Sequence, residues 1–163
     1  MDARVRARLN RAPATRPKET RMTTNPANVL YTGKTHNTSG GRDGTARSSD
    51  GRLDIKLSSP GSAGSGTNPE QLLAAGWSAC FIGAMGKAAQ RMGVRMPAET
   101  AVDAEVDLCL ADGAYFLQAR LSVSLPGLET EVARALTDAA HGTCPYSKAL
   151  RGNIEIEIAI GLA

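Results

Sequence analysis

One long apolar segment near the middle of the chain constrains the fold more than any other feature. Residues 72–85 are apolar at nearly every position. Asn68 and Pro69 suit the N-cap and the first helical position, and Gly93 suits the residue after a helix end. These signals predict a helix over residues 69–92 that is buried on all sides. A chain of 163 residues has few elements to surround such a helix, so we expect a second subunit to cover part of it.

Short alternating segments on both sides of this helix predict strands. Asp112-Gly113 is a hairpin-turn signal between two of them. The predicted strands cover residues 29–32, 45–48, 52–57, 101–110, 115–125 and 153–160, and the predicted helices besides the central one cover 129–141 and a short turn starting at Cys144-Pro145. This order of elements predicts an α+β fold in which antiparallel sheets wrap around central helices.

The basic charge of the chain is concentrated at its start. Residues 1–21 hold seven basic and two acidic side chains, which leaves 12 basic and 14 acidic residues for the rest. We interpret residues 1–27 as a disordered basic extension and residues 28–163 as the folded domain, although an Arg-rich start is also typical of an organellar transit peptide. The folded part therefore gives no reason to expect nucleic-acid binding.

Neither a secretory signal nor a membrane span is expected. The extension has no apolar core of the signal-peptide type, and we expect no segment to reach the roughly 20 apolar residues that cross a bilayer. A cytoplasmic location follows, and cysteines there are more often catalytic or redox-active than structural.

Two of the three cysteines lie in unusual local settings. Cys80 lies inside the apolar central helix, which predicts a shielded thiol on a rigid element. Cys144 directly precedes Pro145 at the predicted start of a short helix, where backbone N–H groups favour a thiolate. Local sequence therefore makes Cys144 the more reactive thiol. Cys109 has no basic neighbour in sequence, and we interpret it as a bystander.

A metal site is the first alternative for these residues. His141 and Cys144 are three residues apart, and His36 is the other histidine. A closed zinc site needs about four ligands, usually at tight spacing. The chain has no C-x-x-C motif, so we expect no metal.

A peroxide-reducing site would need a thiolate, a cation that holds it, a carboxylate that orients the cation, and a second thiol. Arg42 in a Gly-rich turn and Glu70 in the first turn of the central helix are the candidate ion pair. Each also has an ordinary explanation, as a solvated turn residue and as a helix N-terminal carboxylate. Because Glu70 and Cys80 lie ten residues apart, roughly 15 Å along one helix, a shared site would need a second copy of the chain.

Several segments together resemble the OsmC/Ohr family, and in particular its organic hydroperoxide resistance branch. They extend in order from about residue 28 to the C-terminus: Gly40-Gly41-Arg42-Asp43-Gly44, Gly66-Thr67-Asn68-Pro69-Glu70-Gln71-Leu72, Ser78-Ala79-Cys80-Phe81-Ile82-Gly83-Ala84 and Cys144-Pro145-Tyr146-Ser147. Lys148 and Leu150 depart from the asparagine and threonine expected after the last motif. Neither departure falls on a proposed catalytic position.

The resemblance implies a thiol-dependent peroxidase that reduces organic hydroperoxides, lipid-derived ones included, to alcohols. It implies that Cys80 attacks the peroxide, that Cys144 resolves the sulfenic acid as a disulfide, and that Arg42 and Glu70 activate Cys80. It also implies an intertwined homodimer, no cofactor, and reduction by a lipoylated protein or dihydrolipoamide. Two alternatives stay open: an OsmC-type peroxidase, and a redox sensor that switches without turnover.

We further expect the thiol to prefer peroxides with apolar tails over hydrogen peroxide. Phe81 and Ile82 are the side chains expected to line its pocket. Burying an alkyl tail there would contribute about 0.8 kcal/mol per methylene.

Overall fold

The structure, a computed structural model, describes residues 28–38 and 40–162. The predicted extension over residues 1–27 lies outside the described residues. Residues 28–32 belong to a different unit from the chain that begins at Gly33. They are exposed and form no strand, so the strand predicted at 29–32 is wrong. An apolar, β-branched run needs a neighbouring strand to pair with, and no described residue pairs with this one.

The first sheet is a three-stranded antiparallel meander. Its strands are β1 (Thr35–Asn37), β2 (Thr45–Ser48) and β3 (Asp54–Lys56), in the order β1-β2-β3. The first strand lies at Thr35–Asn37 instead of the predicted 29–32, because these three residues are the ones that pair with β2. Thr35 lies opposite Ser48. β3 is shorter than the predicted 52–57. A short 3-10 turn, Gly41–Asp43, joins β1 to β2.

The central helix α1 (Pro69–Met92) has the predicted boundaries. Asn68 Oδ1 accepts a hydrogen bond from the Gln71 N–H at 2.9 Å, which satisfies one free donor of the first turn. Gly93 ends the helix at a φ of 68°, a left-handed conformation that costs glycine little. The capping residues are therefore sufficient to explain where α1 begins and ends.

Only one side of α1 is buried within the chain. The buried side carries Trp77, Phe81, Ala84, Met85, Ala88 and Ala89, and the opposite side leaves Ala75, Ala79, Gly83 and Gly86 exposed. The expectation of burial on all sides is not met by this chain alone, because one sheet and one helix pair cover a single face of α1.

By length and composition, α1 could cross a membrane. Its most apolar 18-residue window has a mean hydropathy of 1.3, and a third of that window is buried inside the protein. The expectation that no segment reaches membrane-spanning length is wrong by this criterion. The core helix of a soluble domain can pass the same test, so the finding by itself is weak evidence for a membrane location.

The second sheet packs against α1 and is mixed. Its strands are β4 (Ala101–Ala111), β5 (Ala114–Ser124) and β6 (Glu155–Gly161). β4 and β5 form the predicted hairpin, with Asp112 and Gly113 both at positive φ in the turn. β6 pairs with β5 in parallel, whereas only antiparallel pairs were expected. The connection from β5 to β6 runs through two helices, which allows the chain to return in the same direction.

Two helices complete the α+β fold and pack on α1. They are α2 (Thr130–Thr143) and α3 (Pro145–Leu150). Ala133, Leu136 and Ala140 of α2 are fully buried. The core thus lies between α1, α2 and the second sheet, and the start of α3 is held directly beside α1.

Candidate active site

The structure brings Cys80 and Cys144 together. Cys80 lies near the middle of α1, and Cys144 is the residue that ends α2 and caps α3. Their Sγ atoms are 3.3 Å apart although 64 residues separate them in sequence. A disulfide needs about 2 Å between the sulfur atoms, so a small movement would join them.

The two thiols differ in exposure. Cys80 is the more exposed of the two, whereas the sequence predicted a shielded thiol at this position. Cys144 is fully buried, whereas Cys80 is only half-buried. Cys80 lines a cavity of about 310 Å³, together with Gly83, Ala84, Lys87, Arg91, Thr143 and Pro145. A molecule entering this cavity therefore meets Cys80 first. Cys144 is shielded because α3 folds its N-terminus down against α1.

The predicted lining of the thiol pocket is wrong. Phe81 is fully buried in the core, and neither Phe81 nor Ile82 lines the cavity at Cys80. Residues one or two positions along a helix point about 100° or 200° away from each other. The lining comes instead from small residues one turn further on, at Gly83 and Ala84.

Burial raises the pKa of the Cys80 thiol above its ordinary value. The backbone N–H of Tyr146, at the start of α3, acts against this and lowers the pKa. The neighbouring Cys144 raises it further, and the charge of Lys87 lowers it. The N-terminus of the short helix therefore favours the Cys80 thiolate.

A buried hydrogen bond fixes α3 against α1. The Trp77 indole N–H donates to Ser147 Oγ at 3.0 Å, and both residues are fully buried. The Tyr146 ring lies over Gly76, where a Cβ would come within 2.9 Å of Tyr146 Oη. These two contacts hold the start of α3, and with it Cys144, beside Cys80. Sequence reasoning missed this role of Trp77 and Ser147.

Arg42 and Glu70 form a two-pronged ion pair. Arg42 Nη2 lies 2.6 Å from Glu70 Oε1, and Nη1 lies 2.9 Å from Oε2. Glu70 is 8% exposed. The hydrogen bond from Arg42 holds the pKa of the Glu70 carboxyl below its usual range, although burial acts in the opposite direction. The pair is thus ionised and geometrically specific at neutral pH.

The turn that carries Arg42 needs its glycines. A Cβ on Gly40 would lie 2.7 Å from the Gly44 Cα, and a Cβ on Gly44 would lie 2.5 Å from Thr38 Oγ1. Asp43 Oδ1 accepts a hydrogen bond from the Ser59 N–H at 2.8 Å and ties the turn to the loop after β3. This packing aims the Arg42 side chain at the first turn of α1.

The four predicted site residues form two separate pairs within the chain. Arg42 and Glu70 line a second cavity of about 380 Å³, whose walls include Leu73, Leu108, Tyr115 and Phe116. Neither residue lines the cavity at Cys80. Ten residues of α1, about 15 Å of helix, separate Glu70 from Cys80.

Cys109 lies away from both pairs. It is half-buried on β4, and its Sγ lies 3.6 Å from Gln118 Oε1. Among residues 28–38 and 40–162, no cluster of three or more His, Cys, Asp or Glu side chains is arranged to hold a metal ion.

Sequence reasoning also missed Lys87 and Arg91. They follow Cys80 by seven and eleven residues, a spacing that returns to the same face of a helix. This helical spacing is present in the sequence and is sufficient to predict that both residues lie on the same face of the helix as Cys80.

The chain matches the family model for OsmC-like proteins over residues 61–159. It is 44% identical over 139 residues to the organic hydroperoxide resistance protein of Xanthomonas axonopodis pv. citri, covering 83% of this chain and 97% of that protein. It is 38% identical to OhrB of Bacillus subtilis over 135 residues, covering 80% and 97%. The crystal structure of that OhrB superposes with a TM-score of 0.77 over 82% of this chain and the whole of the OhrB chain.

Proposed function

We propose that this chain reduces organic hydroperoxides to alcohols with two cysteine thiols. The chain belongs to the OsmC/Ohr family and to its organic hydroperoxide resistance branch. The observation that carries the proposal is the 3.3 Å separation of Cys80 Sγ and Cys144 Sγ. A half-buried thiol that faces a cavity, with a fully buried thiol behind it, suits an attacking and a resolving cysteine.

The proposed reaction has two steps, one at each sulfur atom. The Cys80 thiolate attacks the outer oxygen of the hydroperoxide, so that an S–O bond forms, the O–O bond breaks, and the alkoxide leaves and takes up a proton. Cys80 is then a sulfenic acid. The Cys144 sulfur attacks the Cys80 sulfur, an S–S bond forms, the S–O bond breaks, and the hydroxide leaves as water with the Cys144 proton. The two thiols have supplied both electrons.

We propose that Arg42 and Glu70 activate Cys80 in a homodimer. Within one chain, burial leaves the pKa of Cys80 raised, and the Arg42–Glu70 pair lies about 15 Å along α1 from it. The exposed face of α1, with the small residues Ala75 and Ala79 on the turn before Cys80, allows a second copy to approach closely. The Arg42 guanidinium of that copy would supply the positive charge that lowers the pKa of Cys80.

The residues that line the second cavity would form one wall of the substrate site in the proposed dimer. Tyr115 is 72% exposed and Phe116 42% exposed, although both are large and apolar. They line the same cavity as Arg42 and Glu70. In the proposed dimer they would cover the organic tail of the peroxide while Arg42 faces the thiolate.

We propose a slim dithiol, such as a dihydrolipoyl group, as the reductant. Its thiolate attacks the disulfide at Cys80, and its second thiol completes the exchange, so that two electrons return to the cysteines. The cavity of about 310 Å³ at Cys80 has room for a flexible arm but not for a folded domain. The proposed location is the cytoplasm, where thiols are kept reduced.

Consumption of cumene hydroperoxide by the full chain with dihydrolipoamide tests the proposal. The parent chain should turn over many times, Cys80→Ser should be inactive, and Cys144→Ser should react with a single equivalent. Cys109→Ser is the matched control and should turn over like the parent. Activity that survives Cys80→Ser would overturn the proposal. A single stoichiometric oxidation of the parent would instead support a redox sensor. Stronger turnover with hydrogen peroxide than with cumene hydroperoxide would argue for an OsmC-type peroxidase.

A further inference from the structure

Both charged side chains that line the cavity at Cys80 come from α1 beyond the thiol. Gly83, Ala84, Thr143 and Pro145 complete the lining around Cys80, and Lys87 and Arg91 follow about two and three helical turns further along α1. A Cβ on Gly83 would meet no atom within 4 Å, so the floor of the cavity beside the thiol is open. The result is a groove along α1 that leads from the thiol past small groups to two cations.

These two cations are exposed and unpaired in the described part of the chain. Lys87 and Arg91 both lie on the solvent side of α1. The ion pairs formed by described residues involve Arg42, Arg47, Arg52, Arg120 and Arg134, and neither of these two. Two adjacent positive charges at i and i+4 repel each other. An anion between them would remove that cost.

The distances along α1 from Cys80 to the two cations define how long a molecule must be to reach from the thiol to them. Lys87 is seven residues and Arg91 eleven residues from Cys80, which places them about 10 Å and 16 Å along the helix axis. All three lie on one face, because seven and eleven residues are close to two and three full turns. A carboxylate joined to a peroxide by a stretch of about 8 to 12 carbon atoms would span this distance.

We infer that Lys87 and Arg91 form a carboxylate subsite that selects long-chain hydroperoxy acids over uncharged hydroperoxides of the same length. The inference rests on the proposed function. The carboxylate arm of the acid lies along the groove, with the peroxide at Cys80 and the carboxylate between the two cations, and the remaining alkyl end lies in the second cavity of the other copy, lined by Tyr115 and Phe116. The reaction at sulfur is unchanged. The subsite adds to the affinity for the substrate and positions the peroxide next to the thiolate.

The test compares an octadecadienoic acid hydroperoxide with its methyl ester, both below the concentration at which they form micelles. The reductant is free dihydrolipoamide, which is uncharged, so that docking of an acidic partner protein cannot affect the result. For the parent chain we expect kcat/KM to be about five- to tenfold higher for the acid, because two partly exposed cations each contribute modestly. We expect the preference to lie mainly in KM and to shrink in high salt.

The double variant Lys87→Gln/Arg91→Gln should bring the ratio of acid to ester close to one. Loss of Lys87 also affects the thiol itself, since its charge lowers the pKa of Cys80, but this change acts on both substrates and cancels in the ratio. Lys148→Gln is the control for lost surface charge: it removes one positive charge from an exposed position outside the groove and should keep the ratio of the parent.

A hydroperoxy acid whose carboxylate lies only three or four carbon atoms from the peroxide provides a second measurement. It cannot reach the cations, so its turnover relative to its own ester should be the same in the parent and in the double variant. The inference is overturned if the parent shows less than a twofold preference for the long acid, or if the double variant keeps that preference. Failure of the parent to turn over cumene hydroperoxide would overturn the proposed function instead.

Discussion

The hydrogen bond between Trp77 and Ser147 should make a measurable contribution to stability. Its partners are fully buried, and the N–H to O distance is 3.0 Å. Ser147→Ala removes the acceptor and leaves the indole N–H without a partner in the core. An unsatisfied buried donor costs about 1 to 3 kcal/mol. For a chain of this size that corresponds to a loss of about 2 to 4 °C in Tm per kcal/mol.

The chain contains a matched control for this change. Thr137 is 2% exposed, and its Oγ1 is buried with no hydrogen-bond partner among the described residues. Thr137→Val removes a hydroxyl of similar size and burial that makes no bond. Since nothing is left unsatisfied, this variant should be as stable as the parent or slightly more stable.

The assay is urea unfolding at one fixed chain concentration, because the stability of the proposed dimer would depend on concentration. Far-UV circular dichroism is the signal, since Trp77 is the only tryptophan and is itself replaced in the cycle. The cycle of Trp77→Phe, Ser147→Ala and the double variant should give a coupling free energy of about 1 kcal/mol or more. Additive effects, or a Thr137→Val variant as destabilised as Ser147→Ala, would show that this hydrogen bond does not contribute to stability.

Four further predictions follow from the two residue pairs and the uncovered helix face. Arg42→Gln should raise the midpoint of the pH profile for iodoacetamide alkylation of Cys80 by about one unit or more, because it removes the charge proposed to favour the thiolate; an unchanged midpoint would exclude Arg42 from the site. The pKa of Glu70 is lowered by Arg42 from its ordinary value of 4.5, so the pair stabilises the fold fully above that pH. The difference in unfolding free energy between parent and Glu70→Gln should therefore shrink as pH falls below 4.5 in urea titrations, and a difference that grows there would be contrary to the pairing. Ala79→Glu places a charge on the exposed face of α1 and should convert the proposed dimer to monomer in sedimentation experiments, with loss of peroxidase turnover; a dimer of the same affinity as the parent's would show that this face is not the interface. Gly76→Ala must displace the Tyr146 ring, whose Oη would lie 2.9 Å from the new Cβ, and should slow disulfide formation between Cys80 and Cys144 in stopped-flow measurements, whereas an unchanged rate would mean that Tyr146 does not position α3.

Local signals were sufficient to predict the elements whose ends are set by their own residues. The limits of α1 follow from the Asn68 cap and from Gly93, and the β4–β5 hairpin follows from alternation on either side of Asp112-Gly113. In both cases the deciding interaction lies within a few residues in sequence, so that no knowledge of the rest of the fold is needed.

The predictions from sequence are wrong where the structure of a segment depends on residues far away in the chain. The first strand lies at Thr35–Asn37 rather than at 29–32, because pairing with β2 outweighs the apolar character of the earlier run. The parallel pairing of β6 depends on the path through α2 and α3, which strand patterns do not reveal. An apolar sequence around Cys80 suggested that it is shielded, yet helix geometry turns it toward a cavity.

The candidate site shows the same division. The four residue types were recognisable in sequence, and their arrangement in two pairs was only partly predictable. Helix rise alone separates Glu70 from Cys80, whereas the fork between Arg42 and Glu70 spans 28 residues and depends on the packing of a turn against α1. The exposure of Cys80 and the burial of Cys144 depend on the fold of α3 onto α1, which no local pattern encodes.

Intact-mass measurement after one equivalent of an organic hydroperoxide tests most directly whether Cys80 attacks and Cys144 resolves. The parent chain should lose two hydrogen atoms as the disulfide forms, and Cys144→Ser should gain one oxygen atom as a sulfenic acid at Cys80. Cys80→Ser should show neither change. Loss of two hydrogen atoms together with a peptide map that joins other cysteines, or oxidation of Cys144 in the Cys80→Ser chain at the rate of the parent, would show that Cys80 and Cys144 do not have these roles.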